Sequence, residues 1–181
     1  MFKRTVVINL IWLAILMFGA VSFVPAQTEN SCDTWAYIID DDPNGLNVRA
    51  GAGSNFKVSD TIPKDADGTS VNIVGSKGKW LKIKLAENSE GENVFSGSGW
   101  IYGPLVALRT RGSGASENEL VKLYDGAKTS GRVVGRLKME TEVTLLGCKA
   151  AWVEVAFPGK SDKTGWLPPE SQCGNPVTTC P

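Results

Sequence analysis

The sequence predicts an all-β chain of two small barrels in tandem behind a cleavable leader, on three observations. Beyond residue 33 every apolar run is only about strand length, and the residues between runs are rich in Gly, Asp, Asn, Pro and Ser. No window outside the leader sustains a helical period. The same order of apolar positions, glycines and tryptophans is also written twice along the chain.

The leader comes first. Lys3 and Arg4 precede an apolar run from Val6 to Val24, interrupted by Asn9, Gly19 and Ser22, and the block ends in Val24-Pro25-Ala26. That is the layout of a signal peptide, so residues 1–26 are expected to be removed and the protein to be secreted or periplasmic. The run is also close to spanning length, and the alternative is an uncleaved leader that anchors the chain. Cys32 follows Glu29-Asn30-Ser31, not the apolar and small residues that a lipid-attachment cysteine needs before it.

Gln27 to Asp33 reads as a polar lead-in. The first unit, 34–108, holds the runs Trp35 to Ile39, Leu46 to Arg49, Val58 to Ile62, Val71 to Val74, Trp80 to Leu85, Trp100 to Tyr102 and Leu105 to Leu108. Residues 109–118, polar and Gly/Ser-rich, read as a linker. The second unit, 119–173, repeats the first: Val48 aligns with Leu123, Gly51 with Gly126, Val58 with Val133, Val71 with Val143, Gly75 with Gly147, Trp80 with Trp152, and Gly99-Trp100 with Gly165-Trp166. Residues 174–181 form a tail. The main insertion, Glu87 to Ser98, is expected to be a long hairpin with Phe95 folded back onto the barrel.

Charge and composition exclude several classes of function. The chain has 19 basic and 19 acidic residues and no histidine. Without Lys3 and Arg4 the acids are in slight excess, so neither nucleic acid nor, after leader cleavage, an anionic membrane is favoured as a partner. The lack of histidine excludes Cys-His and Ser-His-Asp catalysis and histidine metal sites. Nothing in the spacing of Asp and Glu singles out a catalytic pair. The protein is therefore expected not to be an enzyme and to need no cofactor.

Four cysteines, Cys32, Cys148, Cys173 and Cys180, lie beyond the leader. An even number in an exported chain implies two disulfides, with three possible connectivities. The pairing expected is Cys148 with Cys173 and Cys32 with Cys180, the second joining the two ends of the exported chain. Asp40-Asp41-Asp42-Pro43-Asn44-Gly45 imitates the first half of a calcium loop, with Asp40, Asp42 and Asn44 as ligands and glycine sixth. The twelfth position is Gly51 rather than a bidentate glutamate, and the competing reading is an Asx/Pro turn between two strands.

Leu46-Asn47-Val48-Arg49-Ala50-Gly51, Gly78-Lys79-Trp80-Leu81-Lys82-Ile83 and Gly99-Trp100-Ile101-Tyr102 resemble segments of the bacterial SH3 (SH3b) domain family. Leu123-Tyr124-Asp125-Gly126, Trp152-Val153-Glu154-Val155 and Gly165-Trp166-Leu167 repeat them without the Asn-Val-Arg signature. The resemblance implies two SH3-like β-barrels in tandem that bind without catalysis, with a cell-wall peptide (a peptidoglycan peptide) or an extracytoplasmic protein as partner. It also implies shallow ligand grooves, one with Trp80 and Tyr102, the other with Tyr124, Trp152 and Pro168. Trp100 and Trp166 are expected in the cores. Two other roles fit the same barrels: a structural or assembly subunit that meets only protein, and a regulator of a cell-wall hydrolase.

Overall fold

A computed structural model describes residues 28–114 and 119–177. The leader, its expected cleavage point, residues 115–118 of the expected linker and Cys180 lie outside the described residues. The strands are β1 (Asn30–Ile38), β2 (Leu46–Arg49), β3 (Val58–Ile62), β4 (Ser70–Lys77), β5 (Trp80–Glu87), β6 (Asn93–Tyr102) and β7 (Val106–Thr110), followed by β8 (Leu120–Tyr124), β9 (Val133–Lys138), β10 (Glu142–Lys149), β11 (Trp152–Phe157), β12 (Lys160–Leu167) and β13 (Gln172–Cys173). One-turn 3-10 segments, Gly103–Leu105 and Pro169–Ser171, precede β7 and β13. No α-helix occurs among the described residues, as the absence of a helical period requires.

The strand order is β3-β2-β6-β5-β4-β1-β7-β10-β11-β12-β8-β9, with β13 pairing to β7. Each half has the same internal order, and the two meet head to head at β1 and β7. Strand β1 pairs with both β4 and β7, while β7 pairs with both β10 and β13. Thus β7 closes the first half and also stands toward β10 as β1 stands toward β4. The expected barrels are not closed by this ladder: it runs open from β3 to β9, because the strands at the middle pair into the other half.

Alternation explains the core. Along β1, Cys32, Thr34 and Ala36 point inward while Asp33 and Trp35 between them face solvent. This is why the strand begins at Asn30, inside a segment whose composition reads as a polar lead-in. Leu46, Val48, Ile62, Ile73, Leu81, Ile83 and Ile101 fill the first half, and Leu123, Leu145, Val153, Val155 and Leu167 the second, all buried. Val106 and Leu108 on β7 join both into a single cluster. Burying each of these aliphatic side chains is worth roughly 1.5–3 kcal/mol. Phe95, buried, folds back from the hairpin between β5 and β6 as expected.

The linker is shorter than its composition implies. Arg109 pairs with Glu142 and Cys173, and Thr110 with Gln172, so β7 takes the first two residues of the expected stretch. Ladder pairing needs backbone groups, which a Gly/Ser-poor Arg-Thr pair supplies whatever its polarity.

The disulfide pairing differs from expectation. Cys32 is bonded to Cys148, with Cα atoms 5.7 Å apart, and Cys173 is disulfide-bonded but not to Cys148. Cys32 and Ala150 form a parallel bridge in which Ala150 N donates to Ser31 O at 2.7 Å and Asp33 N donates to Ala150 O at 3.0 Å. This bridge sets β1 beside the end of β10 and brings the two sulfurs together. The bond therefore joins the halves, where spacing alone suggested one loop within the second half and one clasp between the ends.

Candidate functional site

Trp80 opens β5 directly after the turn Lys77-Gly78-Lys79, whose Gly78 has φ +57°, a left-handed conformation that favours glycine. The register of β5 and β6 places Trp80 opposite Tyr102, and the two rings lie 5.4 Å apart, tilted by 51°. Tyr102 is exposed and Trp80 half-buried. Together with Asp40, Leu46, Asn47, Arg49 and Leu105 they line an open groove of about 460 Å³. Asn47 and Arg49 reach it because they occupy the outward positions of β2, whose Leu46 and Val48 are buried. The Arg49 guanidinium is steadied by donation to Phe56 O at 2.8 Å. The groove thus offers an aromatic shelf with a guanidinium, a carboxylate and a carboxamide along it. These groups suit an extended peptide with both charge signs.

In the second half Tyr124 ends β8 and Trp152 opens β11, with ring centroids 5.8 Å apart and the rings nearly perpendicular. Both are half-buried. The structure therefore gathers Trp80 with Tyr102 and Tyr124 with Trp152, each tryptophan at the start of an equivalent strand. The partner of the tryptophan differs. In the first half it comes from β6; in the second it comes from β8, at the position that Arg49 holds in the first. Pro168, expected beside Tyr124 and Trp152, is buried, and its carbonyl accepts from Ser171 N at 3.0 Å to start the 3-10 turn. It is not available as groove surface.

The core assignments also divide. Trp100 is 8% exposed, with Lys82 Nζ over its ring at 5.6 Å. Trp166 is only half-buried. Asp40, Leu46, Asn47, Arg49 and Leu105 escape a search for aromatic residues; the outward parity of Asn47 and Arg49 is the signal that points to them.

The Asp40–Gly45 segment is folded on itself. Asp40 Oδ1 accepts from Asp42 N at 3.2 Å, and Asp42 Oδ1 accepts from Asn44 N and Asn44 Nδ2, both at 2.9 Å. Gly45 follows at φ +87°. These are Asx-turn bonds, and the backbone amide of Asn44, then its side chain, hold the Asp42 carboxyl below the usual carboxylate range. Among the described residues no group of three His, Cys, Asp or Glu side chains is placed to hold a metal ion.

A family model described as bacterial SH3 domain matches residues 44–107 and again 119–171, more than half of the chain. Among solved structures, the chain is similar to NlpC2 from Trichomonas vaginalis, at 14% identity over 81% of this chain and 48% of that one, with a TM-score of 0.30. It is similar also to NlpC1 from the same organism, at 16% identity over 89% of this chain and 50% of that one, with the same TM-score. The chain thus spans about half the length of these structures. No curated protein matches it.

Proposed function

We propose that this chain, which belongs to the bacterial SH3 domain family in both of its halves, is an exported, non-catalytic binding protein that grips an extracytoplasmic peptide on its two aromatic pairs. The observation that carries the reading is the pairing of Trp80 with Tyr102 along a groove that also holds Asp40 and Arg49. Aromatic shelves of this kind bind extended chains with little loss of conformational freedom, and charged groups beside them fix direction. A disulfide between the halves supports an oxidising compartment, outside the cytoplasm. The ligand favoured is a cell-wall peptide, whose free amine and carboxylate would meet Asp40 and Arg49; an extracytoplasmic protein segment of like charge is the other candidate.

The test is retention of the disulfide-bonded protein on purified peptidoglycan. Retention is expected, with a loss of tenfold or more when Trp80→Ala and Trp152→Ala are combined. No retention beside an active wall-binding control overturns the wall reading. A second reading, a rigid scaffold for protein assembly, is favoured by one feature: the continuous ladder that fixes the halves to each other.

A further inference from the structure

The two halves place unlike side chains beside equivalent tryptophans. In the first half, β5 and β6 set Lys82 opposite Trp100. The Lys82 ammonium lies 5.6 Å from the centre of the Trp100 ring and 2.9 Å from the Glu29 carboxylate. A cation is held there between an aromatic face and an acid, all from this chain. In the second half, β11 and β12 set Glu154 opposite Trp166 in the same register. The aromatic ring is kept, but the equivalent of the lysine is an acid.

Glu154 and Trp166 together line a pocket of about 280 Å³ at the junction of the halves, walled also by Asn30, Ser76, Gly78 and Gly147. Gly147 forms a close wall of it: a Cβ there would make ordinary contacts, at 3.7–3.9 Å, with Glu154 Oε2, Gly78 O and Ser76 Oγ. Glu154 Oε1 accepts one hydrogen bond, from Thr164 Oγ1 at 3.2 Å, and Glu154 makes no ion pair with any described residue. The pocket therefore presents a carboxylate, the edge or face of an indole, and backbone and hydroxyl oxygens. It offers no cation of its own.

We infer that the Glu154–Trp166 pocket binds a primary ammonium group brought by a ligand, in the position relative to the tryptophan that Lys82 fills from within in the first half. A lysine-type amine on a flexible stem fits this chemistry: the ammonium pairs with the carboxylate and stacks on the ring, and the apolar stem lies along the open mouth of the pocket. Trp166 is the ladder neighbour of Tyr124, but neither member of the Tyr124–Trp152 pair nor of the Trp80–Tyr102 pair lines this pocket, so the site stands whether or not those pairs bind a wall peptide.

The experiment is a titration of the intact, disulfide-bonded protein followed by the indole N–H signals of its tryptophans in NMR. The probes are Nα-acetyl-lysine amide, its norleucine counterpart without the ammonium, and methylammonium as the bare head group. The expected result is a saturable shift of the Trp166 signal with the lysine probe and none with norleucine amide. Glu154→Gln, which keeps shape and the Thr164 contact, should weaken the lysine probe tenfold or more, whereas Glu90→Gln, which removes an acid from the exposed hairpin between β5 and β6, should leave it unchanged. A shift with methylammonium of equal affinity assigns the binding to the head group alone; a much weaker one assigns part of it to the stem, and both support the site. No saturable shift of Trp166, or equal shifts with lysine and norleucine probes or in Glu154→Gln, overturns it.

Discussion

Ser76 and Cys148, one from each half, exchange two hydrogen bonds in the buried junction: Ser76 Oγ donates to Cys148 O at 2.8 Å and accepts from Cys148 N at 3.1 Å. Ser76 is 2% exposed and Cys148 1%. A single hydroxyl thus satisfies both backbone groups of the residue that carries the disulfide. Ser76→Ala leaves a buried N–H and C=O unpaired and is expected to cost about 1–3 kcal/mol. Chemical denaturation under oxidising conditions checks it. An unchanged midpoint would mean that water replaces the hydroxyl.

The Cys32–Cys148 bond closes a sequence separation of 116 residues. For a loop of that length the chain-entropy estimate is roughly 4–5 kcal/mol. Cys32→Ser with Cys148→Ser is therefore expected to lower the melting temperature strongly, more than removal of either aromatic pair. Calorimetry of the double variant beside the parent is the measurement; a change of only a degree or two would refute a major role.

Tyr37 gives the junction an alkaline limit. Its hydroxyl donates to Glu142 Oε2 at 2.9 Å, and burial first, then the hydrogen bond and the negative charge of Glu142, push its ionisation well above the ordinary phenol range. Arg109, beside the ring, opposes this. A raised value in the folded state means that the unfolded chain loses the proton first. The contribution is full below about pH 10, where a free tyrosine titrates, and declines as pH rises from there toward the folded value. Tyr37→Phe should flatten the loss of stability above about pH 10, measured as denaturation midpoint against pH.

Ala150 sits at φ +52°, where the first half has Gly78 at φ +57°. A left-handed alanine costs roughly 1 kcal/mol, offset in part by the greater freedom that glycine gives the unfolded chain. Ala150→Gly should be neutral or stabilising by up to about 1 kcal/mol. A clear loss of thermal stability would show that the methyl group has a packing role.

The aromatic positions separate binding from folding. Trp80→Ala and Trp152→Ala, at half-buried strand starts, are expected to reduce ligand retention while preserving a cooperative transition. Trp100→Ala, removing a buried ring beneath Lys82, should destabilise by about 3–5 kcal/mol. Equal unfolding in all three would defeat the assignment of the grooves.

Much of this was legible in residues alone. The spans Leu46 to Arg49 and Val58 to Ile62 are strands to the residue, since each is a short run bounded by turn chemistry on both sides. The pairs Trp80–Tyr102 and Tyr124–Trp152 could be suspected from their places in the repeat. Three things were hidden for a common reason: they depend on strands distant in the sequence. Strand β1 begins in polar residues because only alternate positions meet the core. Strand β7 extends to Thr110 because β10 and β13 pair with it. Cys32 meets Cys148 because the Ala150 bridge lays β1 against β10. A periodic pattern reports which face of a strand is buried, and it carries no record of which distant strand covers its edge.

The double duty of β7 has a consequence for synthesis. As the chain leaves the ribosome, the first half can assemble around β1 and β4 as soon as β7 emerges. One edge of β7 then remains a row of open amides and carbonyls until Glu142–Thr144 arrives to cover it. Such an edge invites pairing with a neighbouring nascent chain. A translation product stopped after Thr110 should therefore aggregate rather than behave as a soluble half.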